Sequence, residues 1–561
     1  MKKSIYLFTL LIIVLSSVTL FGQDDEANIR ITGTNIHYEP DDWITYSMTR
    51  WVNSLAVGRE FIYVATSGGI LLYNLYANKW ERPWTISDGL PDNFIVCVAY
   101  DEATDNVWCS TPLGVSVYRT TWRIWENLFK DEFGLFRGDD IVSFGFDGQF
   151  VWLESKDGEY FRSENQQVSF SRKTSDVIPY EHIRWFGQRD VSLKKLPELF
   201  MHGGYFIDPN GIIKDFRLDD YDITCFSSDP WNSIWVGSWG LGVGKADARI
   251  KILELLPQGL FLNNVVAFEF DDNGNIWAGG IGIYNGQSGI TFWDYENDSF
   301  NYYQARFNNT LYSDQVTSIA IDESFIWFGT EYGLLRYNPS KDKWKTYDSG
   351  LGLRDNYILD VEVDDNNVWI ATSLGLCQLD KNKMTQKDYR IRDVAEKDIL
   401  NMKVYDIEIT HNLLWIGTEY GLYIYDKFKK TGGFEDDAHG PQNDEIFDVG
   451  ILEDKEIWVG LADGVEVFDL KTESWKGVPA KRFNTSMSIN YIVVDEAAAW
   501  LATDEGVLKY DKDRKRWRTF TMEDGLPSNV VNCIALDGDY VWFGTPEGLT
   551  SFLWNSLYRI D

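Results

Sequence analysis

Short apolar runs, rich in β-branched and aromatic side chains, alternate along this chain with turns of Asp, Asn and Gly. One stretch shows the pattern at full strength. Val316–Ile321 is followed by a turn at Asp322-Glu323, then Phe325–Thr330, a turn at Glu331-Tyr332-Gly333, Leu334–Tyr337 and Trp344–Tyr347. Runs this short, separated by such turns, predict antiparallel hairpins. Apolar spacing of three and four is nowhere sustained, which argues against helical repeats. The second run of nearly every unit carries a Trp followed by a small-residue turn: Trp108, Trp152, Trp235, Trp277, Trp327, Trp369, Trp415, Trp458, Trp500 and Trp542, with Tyr63 in the first copy. Most steps between these anchors are about 42 to 46 residues. The longer interval between Trp152 and Trp235 places a degenerate copy around Leu199–Ile207.

Four short strands repeated at this period predict an all-β chain of tandem β-propellers. The anchors count about twelve four-stranded blades, more than one ring closes with, so two rings are expected. Six plus six is the simplest division and seven plus five the alternative. The expected domains are a first propeller over 23–300 and a second over 301–561. Asp42–Tyr46 reads as a lone outer strand able to complete a blade of either ring. The recurrent Trp is expected to pack between blades.

Composition narrows the function classes. The chain has 561 residues, 86 acidic side chains against 52 Lys and Arg, a formal charge of −34, and 16% aromatic residues. Such an acidic surface repels phosphate backbones, so nucleic-acid binding is not expected. The aromatic load excludes a disordered chain. Lys2 and Lys3, the apolar stretch Ile5–Leu20 and the polar Gln23–Glu26 have the three-part shape of a secretory signal peptide, assigned to 1–22. A periplasmic, secreted or cell-surface location follows, with no membrane span after cleavage.

Aligning the first strand of each unit exposes one column: Ser54, Cys97, Ser143, Cys225, Ala267, Ser318, Asp360, Asp406, Asp448, Tyr491 and Cys533. Three of the five cysteines occupy it interchangeably with Ser and Ala, so they read as buried free thiols. Only Cys97 and Cys109, across a predicted hairpin, offer a disulfide pairing. Asp360, Asp406 and Asp448 come from consecutive units and would meet near one mouth of a central channel. Three converging carboxylates could hold a hard cation such as Ca²⁺ through oxygen ligands, or accept hydrogen bonds from sugar hydroxyls; the alternative is solvated or backbone-capping Asp. No cofactor is otherwise expected. The turns between second and third strands open on the same face and carry Tyr332 and Tyr420, with Trp239 and Tyr284 in longer variants. Aromatic rings beside carboxylates suit a glycan or peptide; ordinary turn packing is the alternative. His37, His182, His202, His411 and His439 have no metal spacing. There is no nucleophile elbow, phosphate loop or zinc Cys pair.

Asp88-Gly-Leu-Pro-Asp-Asn93 recurs as Asp524-Gly-Leu-Pro-Ser-Asn529 and, weakly, within Gly350–Asn356. Together with the Trp-x-Gly-Thr-x-x-Gly units, these resemble the two-component regulator propeller repeat over roughly residues 45–561. The resemblance implies the periplasmic sensor region of bacterial hybrid two-component systems. Those relatives continue into a histidine kinase, whereas this sequence stops at Asp561, so signalling through its own kinase is not expected. The leading reading is an exported, non-catalytic double propeller binding a glycan, peptide or envelope protein on a ring face. The alternatives are a propeller polysaccharide lyase or glycosidase using Asp360, Asp406 or Asp448 as acid and base, and a subunit of a surface-secretion or adhesion assembly.

Overall fold

A computed structural model describes residues 38–556 and 559, apart from 40, 134–138, 165–168, 176–181, 188–195, 283–287, 385–391, 395–398, 400, 436–444, 453–454, 463 and 477–486. The leader assigned to 1–22 lies outside the described residues. Strands and short 3₁₀ turns make up the regular structure, arranged as antiparallel, mostly four-stranded sheets in a tandem β-propeller. No described helix is long and apolar enough to cross a membrane.

The unit folds as its residue types dictate. In four units the turn after the first strand begins with an Asp whose carboxylate collects backbone N–H groups and the indole of the anchoring Trp. Asp322 accepts from Ser324 N, Phe325 N and Trp327 Nε1, the last at 3.1 Å. Asp229 with Trp235 and Asp364 with Trp369 repeat the indole contact at 3.0 Å. A buried indole N–H gains from such a partner, and in these hairpins and that of Trp152 the Asp-led turn supplies it, whereas the indoles of Trp108, Trp277, Trp500 and Trp542 are buried without one. Trp235, Trp327 and Trp369 are buried too. At the next turn Thr330 Oγ1 donates to the Gly333 carbonyl (2.6 Å) and accepts from Tyr332 N (3.1 Å). Gly333 has φ +125, and a Cβ there would lie 2.4 Å from the Tyr347 carbonyl oxygen. The Asp-Gly-Leu-Pro-x-Asn segments tie off the loop leaving the fourth strand. Asp88 accepts from Thr85 N at 2.8 Å and Asn93 from Ile86 N at 2.9 Å. Asp524 and Asn529 do the same for Thr521 N and Met522 N, both at 2.9 Å.

Hydrogen bonds between neighbouring sheets order them into two sets. In the first, Val98 N donates to Ser54 Oγ (2.8 Å), Ser110 Oγ to the Ile141 carbonyl (2.7 Å) and Thr224 Oγ1 to the Val52 carbonyl (2.7 Å). These link four sheets in the order 200–256, 52–84, 97–129 and 141–187. In the second, Thr317 Oγ1 donates to Ile358 O (2.8 Å) and Asn490 Nδ2 to Val531 O (2.8 Å). Asn532 Nδ2 donates to Val265 O (2.7 Å), closing that set. Its members are the six sheets at 267–303, 316–347, 358–393, 404–434, 448–476 and 489–520, plus the sheet formed by the chain's last three strands. That last sheet is completed by the first strand, β1 (Trp43–Tyr46), paired antiparallel with Gly548–Leu553.

Two sequence expectations are corrected. The sheet at 267–303 contacts the inner strands Val316–Ile321 and Cys533–Asp537, so the division falls before residue 267 and not near 300, and the six-plus-six grouping does not describe the contacts. The reason is that β1 sits at one end of the chain and closes a set otherwise made at the other, with the intervening sheets inserted between. The degenerate copy builds no sheet of its own among the described residues. Phe200–Met201 pairs parallel with the outer strand Ile252–Leu256, and Phe206–Ile207 joins the hairpin through Ile212–Lys214. This segment lacks the Trp that anchors the other units. Nearby, Arg184–Gly187 pairs with the free edge of Ile141–Phe146 and lies against the inner strands at 52–57 and 97–101.

The two sets meet where 47–51 leaves and 257–263 returns. Met48 pairs with Gly259, Leu260 N donates to Ser47 O (3.0 Å), and Met48 N donates to Asn263 Oδ1 (2.6 Å). Arg50 stacks over Phe261 at 4.1 Å. Arg306 pairs with the buried Asp215 at 3.0 Å and also with Asp219, adding a second bridge between the sets.

Candidate functional site

The alternation of side chains along a strand sends every second residue of an inner strand toward the centre of its ring. In the seven-sheet set this brings Asp360, Asp406 and Asp448 together from three consecutive inner strands. Two residues further along the same strands, Glu362 and Glu408 form a second layer, joined by Glu269 from Ala267–Phe270. Tyr491 projects at the level of the aspartates. No Lys, Arg or His occurs in any of the seven inner strands. The groups are near enough to repel one another. Burial pushes Asp360 up to about 6 and Glu269 up to about 7. Burial, then the Asp448, Asp360 and Glu408 charges, raise Asp406 well above the carboxylate range. Glu362, Glu408 and Asp448 are raised in the same way, by burial first and neighbouring carboxylates second.

Each of the three aspartates already has a partner. Asp360 Oδ2 accepts from Ile407 N at 3.1 Å, Asp406 Oδ2 from Val449 N at 2.8 Å, and Asp448 Oδ2 from Ile492 N at 2.6 Å. Ser54 makes the same bond to Val98 N in the other set, and the Cys97 and Cys533 sulfurs receive the N–H groups of Phe144 and Phe268. At these six positions the column therefore carries side chains with a lone pair that stitch one sheet to the next, whereas Ala267 in the same column has none. Among the described residues, no group of three or more His, Cys, Asp or Glu is placed to hold a metal ion. All five cysteines are buried and free, so the Cys97–Cys109 pairing is not made. Cys97 lies opposite Ser110, and Cys109 opposite Val98, which puts the two thiols on opposite faces of the hairpin.

The candidate aromatics separate into two groups. Tyr332 and Tyr420 project from equivalent turns, 60% and 59% exposed, with the sheet at 358–393 between them. That intervening sheet adds exposed Leu374 in the matching turn and Tyr357 in the preceding loop, and Tyr312 lies in the loop before Val316–Ile321. Three consecutive sheets thus carry one apolar arc on the loop face of the seven-sheet set. A cleft of about 210 Å³ opens in it, lined by Tyr312, Tyr332, Arg306, Asp314 and Gln315. Trp239 lies elsewhere, in the first set, pairing with Trp51 at 5.0 Å between ring centroids. Tyr284 lies outside the described residues.

The Glu362, Glu408 and Glu269 layer is absent from the sequence-based candidates. Its signal was the spacing in Asp360-Val-Glu362 and Asp406-Ile-Glu408, where strand alternation puts both acids on one face.

Residues 525–547 match the family model for the two component regulator propeller. The matched segment begins at Gly525, inside the second Asp-Gly-Leu-Pro loop, and holds the strand of Trp542. The fold is shared with PorZ, described as an essential bacterial surface component of the type-IX secretion system of Porphyromonas gingivalis. That match has a TM-score of 0.55 at 13% identity, covering 91% of this chain and 87% of PorZ. The extracellular domain of the putative hybrid two component system BT4673 from B. thetaiotaomicron aligns at 15% identity, with TM-score 0.44, over 91% of this chain and 71% of that one. That of BT3049 aligns at 17% identity, with TM-score 0.43, over 95% and 77%. No curated protein matches the chain in sequence.

Proposed function

We propose that this propeller protein is an exported, non-catalytic binding module that docks a peptide or partner protein on the loop face of its seven-sheet set. One observation carries the reading: the exposed aromatic arc through Tyr332, Leu374 and Tyr420 crosses three consecutive sheets, a grouping that marks interaction surfaces on soluble proteins. The acids that an enzyme would need are held in bonds between sheets, which speaks against a lyase or glycosidase. The shared fold with a secretion-system surface component supports a place in a cell-envelope assembly.

The test combines binding and turnover. Tyr332→Ser with Tyr420→Ser is expected to abolish co-purification with an envelope partner captured by the wild type, while the folded content is unchanged. Polysaccharide substrates followed for new reducing ends and unsaturated products are expected to stay intact. Turnover that disappears in Asp360→Asn, Asp406→Asn or Asp448→Asn would overturn the proposal in favour of the enzyme. Export is checked separately, by fractionation and by the mass of the mature N-terminus.

A further inference from the structure

The chemistry around the arc points to the kind of partner it fits. Two of the exposed Tyr are preceded in their turns by a carboxylate: Glu331 before Tyr332 and Glu419 before Tyr420. Glu331 is near enough to the Tyr357 phenol to add to the rise that burial causes there. The same turn in two further sheets carries Asp504-Glu505 and Glu547. Glu331 and Glu419 form no ion pair with a described residue, although Glu419 Oε1 accepts Lys403 N at 3.0 Å. Cations nearby are turned to other uses: Lys403 lies over the Tyr405 ring at 4.2 Å, and Arg354 donates to Asn401. The face therefore alternates exposed rings with negative charge on a chain of net charge −34.

We infer that this face recognises a Lys/Arg-rich segment of a partner protein. A guanidinium or ammonium can lie on a Tyr ring while pairing with the carboxylate one residue away, and the two sheets that flank the Leu374 turn each offer that two-part contact to an extended peptide. Neutral or acidic segments gain only the ring contact. The inference rests on the proposed docking role of the same face and adds its charge selectivity.

The test uses the full chain and fluorescent peptides of equal length, one rich in Lys and Arg, one neutral and one acidic. The basic peptide is expected to bind, to weaken as salt rises, and to lose about tenfold in affinity with Glu331→Gln plus Glu419→Gln. The Tyr332→Ser plus Tyr420→Ser variant is expected to lose it as well. Basic peptide that fails to bind, or that binds the double Gln variant as it does the wild type, overturns the inference. The second outcome would mean diffuse attraction to an acidic protein. Equal binding of the neutral peptide overturns it too. Loss of envelope-partner capture in the Tyr variant, together with failure of the basic peptide, would leave the docking role standing and remove only its charge selectivity.

Discussion

Asp406 has two roles that make opposite demands on its charge. Its Oδ2 holds the Val449 amide at 2.8 Å and so ties one sheet to the next. Its charge faces Asp448, Asp360 and Glu408, which repel it. The two effects can be separated by substitution. Asp406→Ala leaves the Val449 N–H without its acceptor inside the ring and is expected to destabilise by about 1–3 kcal/mol. Asp406→Asn keeps an acceptor oxygen and removes a charge, so at pH 8 it is expected to melt at or above the wild-type temperature. Thermal melts of both variants at that pH check the pair; an Asn variant as unstable as the Ala variant would contradict the assignment. The column was visible from its small and polar residues, but its purpose was not. Ser54, Cys97 and Asp360 share an acceptor atom one bond beyond Cβ or close to it, and that property shows its use only when the next sheet's amide is in place. The local hairpin chemistry was more legible, because the Trp and the Asp that serves its indole lie five residues apart in Asp322 and Trp327.

At the level of elements, β1 carries the closure of the seven-sheet set. Trp43 is 1% exposed, stacks on Phe552 at 3.9 Å and packs against Phe520 and Phe543. Next to it, Thr45 Oγ1 and Thr550 Oγ1 are 2.9 Å apart, joining residues separated by 505 positions. Trp43→Ala removes a fully buried ring from that seam and is expected to cost about 3–5 kcal/mol. Chemical denaturation followed by tryptophan fluorescence should show the loss, with proteolysis starting in the last sheet. A one-residue change at a turn has a smaller effect. Gly333→Ala forces a side chain into φ +125 and against the Tyr347 carbonyl, and about 1–3 kcal/mol is expected on the same denaturation curve. This scale also explains why the grouping of sheets escaped the sequence pattern. A period counts units, yet says nothing about which unit closes on which; that depends on a four-residue strand whose partner lies at the other end of the chain.

The whole molecule combines two sets of carboxyl groups that respond to pH with opposite sign. In the channel, burial raises Asp360 to about 6 and Glu269 to about 7, and it raises Asp406, Asp448, Glu362 and Glu408 further. Carboxyls of an unfolded chain titrate near 4. The folded ring therefore holds protons that the unfolded chain has released, and its stability falls as pH rises through the channel values. On the outside, turn aspartates behave in the reverse way. Asp322 and Asp364 are held below the usual range by backbone N–H groups, the Trp indole and a lysine that outweigh burial. Their contribution is present above about pH 4 and is lost as pH falls below it. The sum predicts a stability maximum well on the acid side of neutrality, at about pH 4, with a decline toward pH 8. Melting temperatures across that range check it. Glu408→Gln, which removes one channel charge, is expected to flatten the decline above pH 6 while leaving the acid limb unchanged. A wild-type curve that rises from pH 5 to pH 8, or a Glu408→Gln curve parallel to it, would show that the channel carboxyls do not set the alkaline limit of this fold.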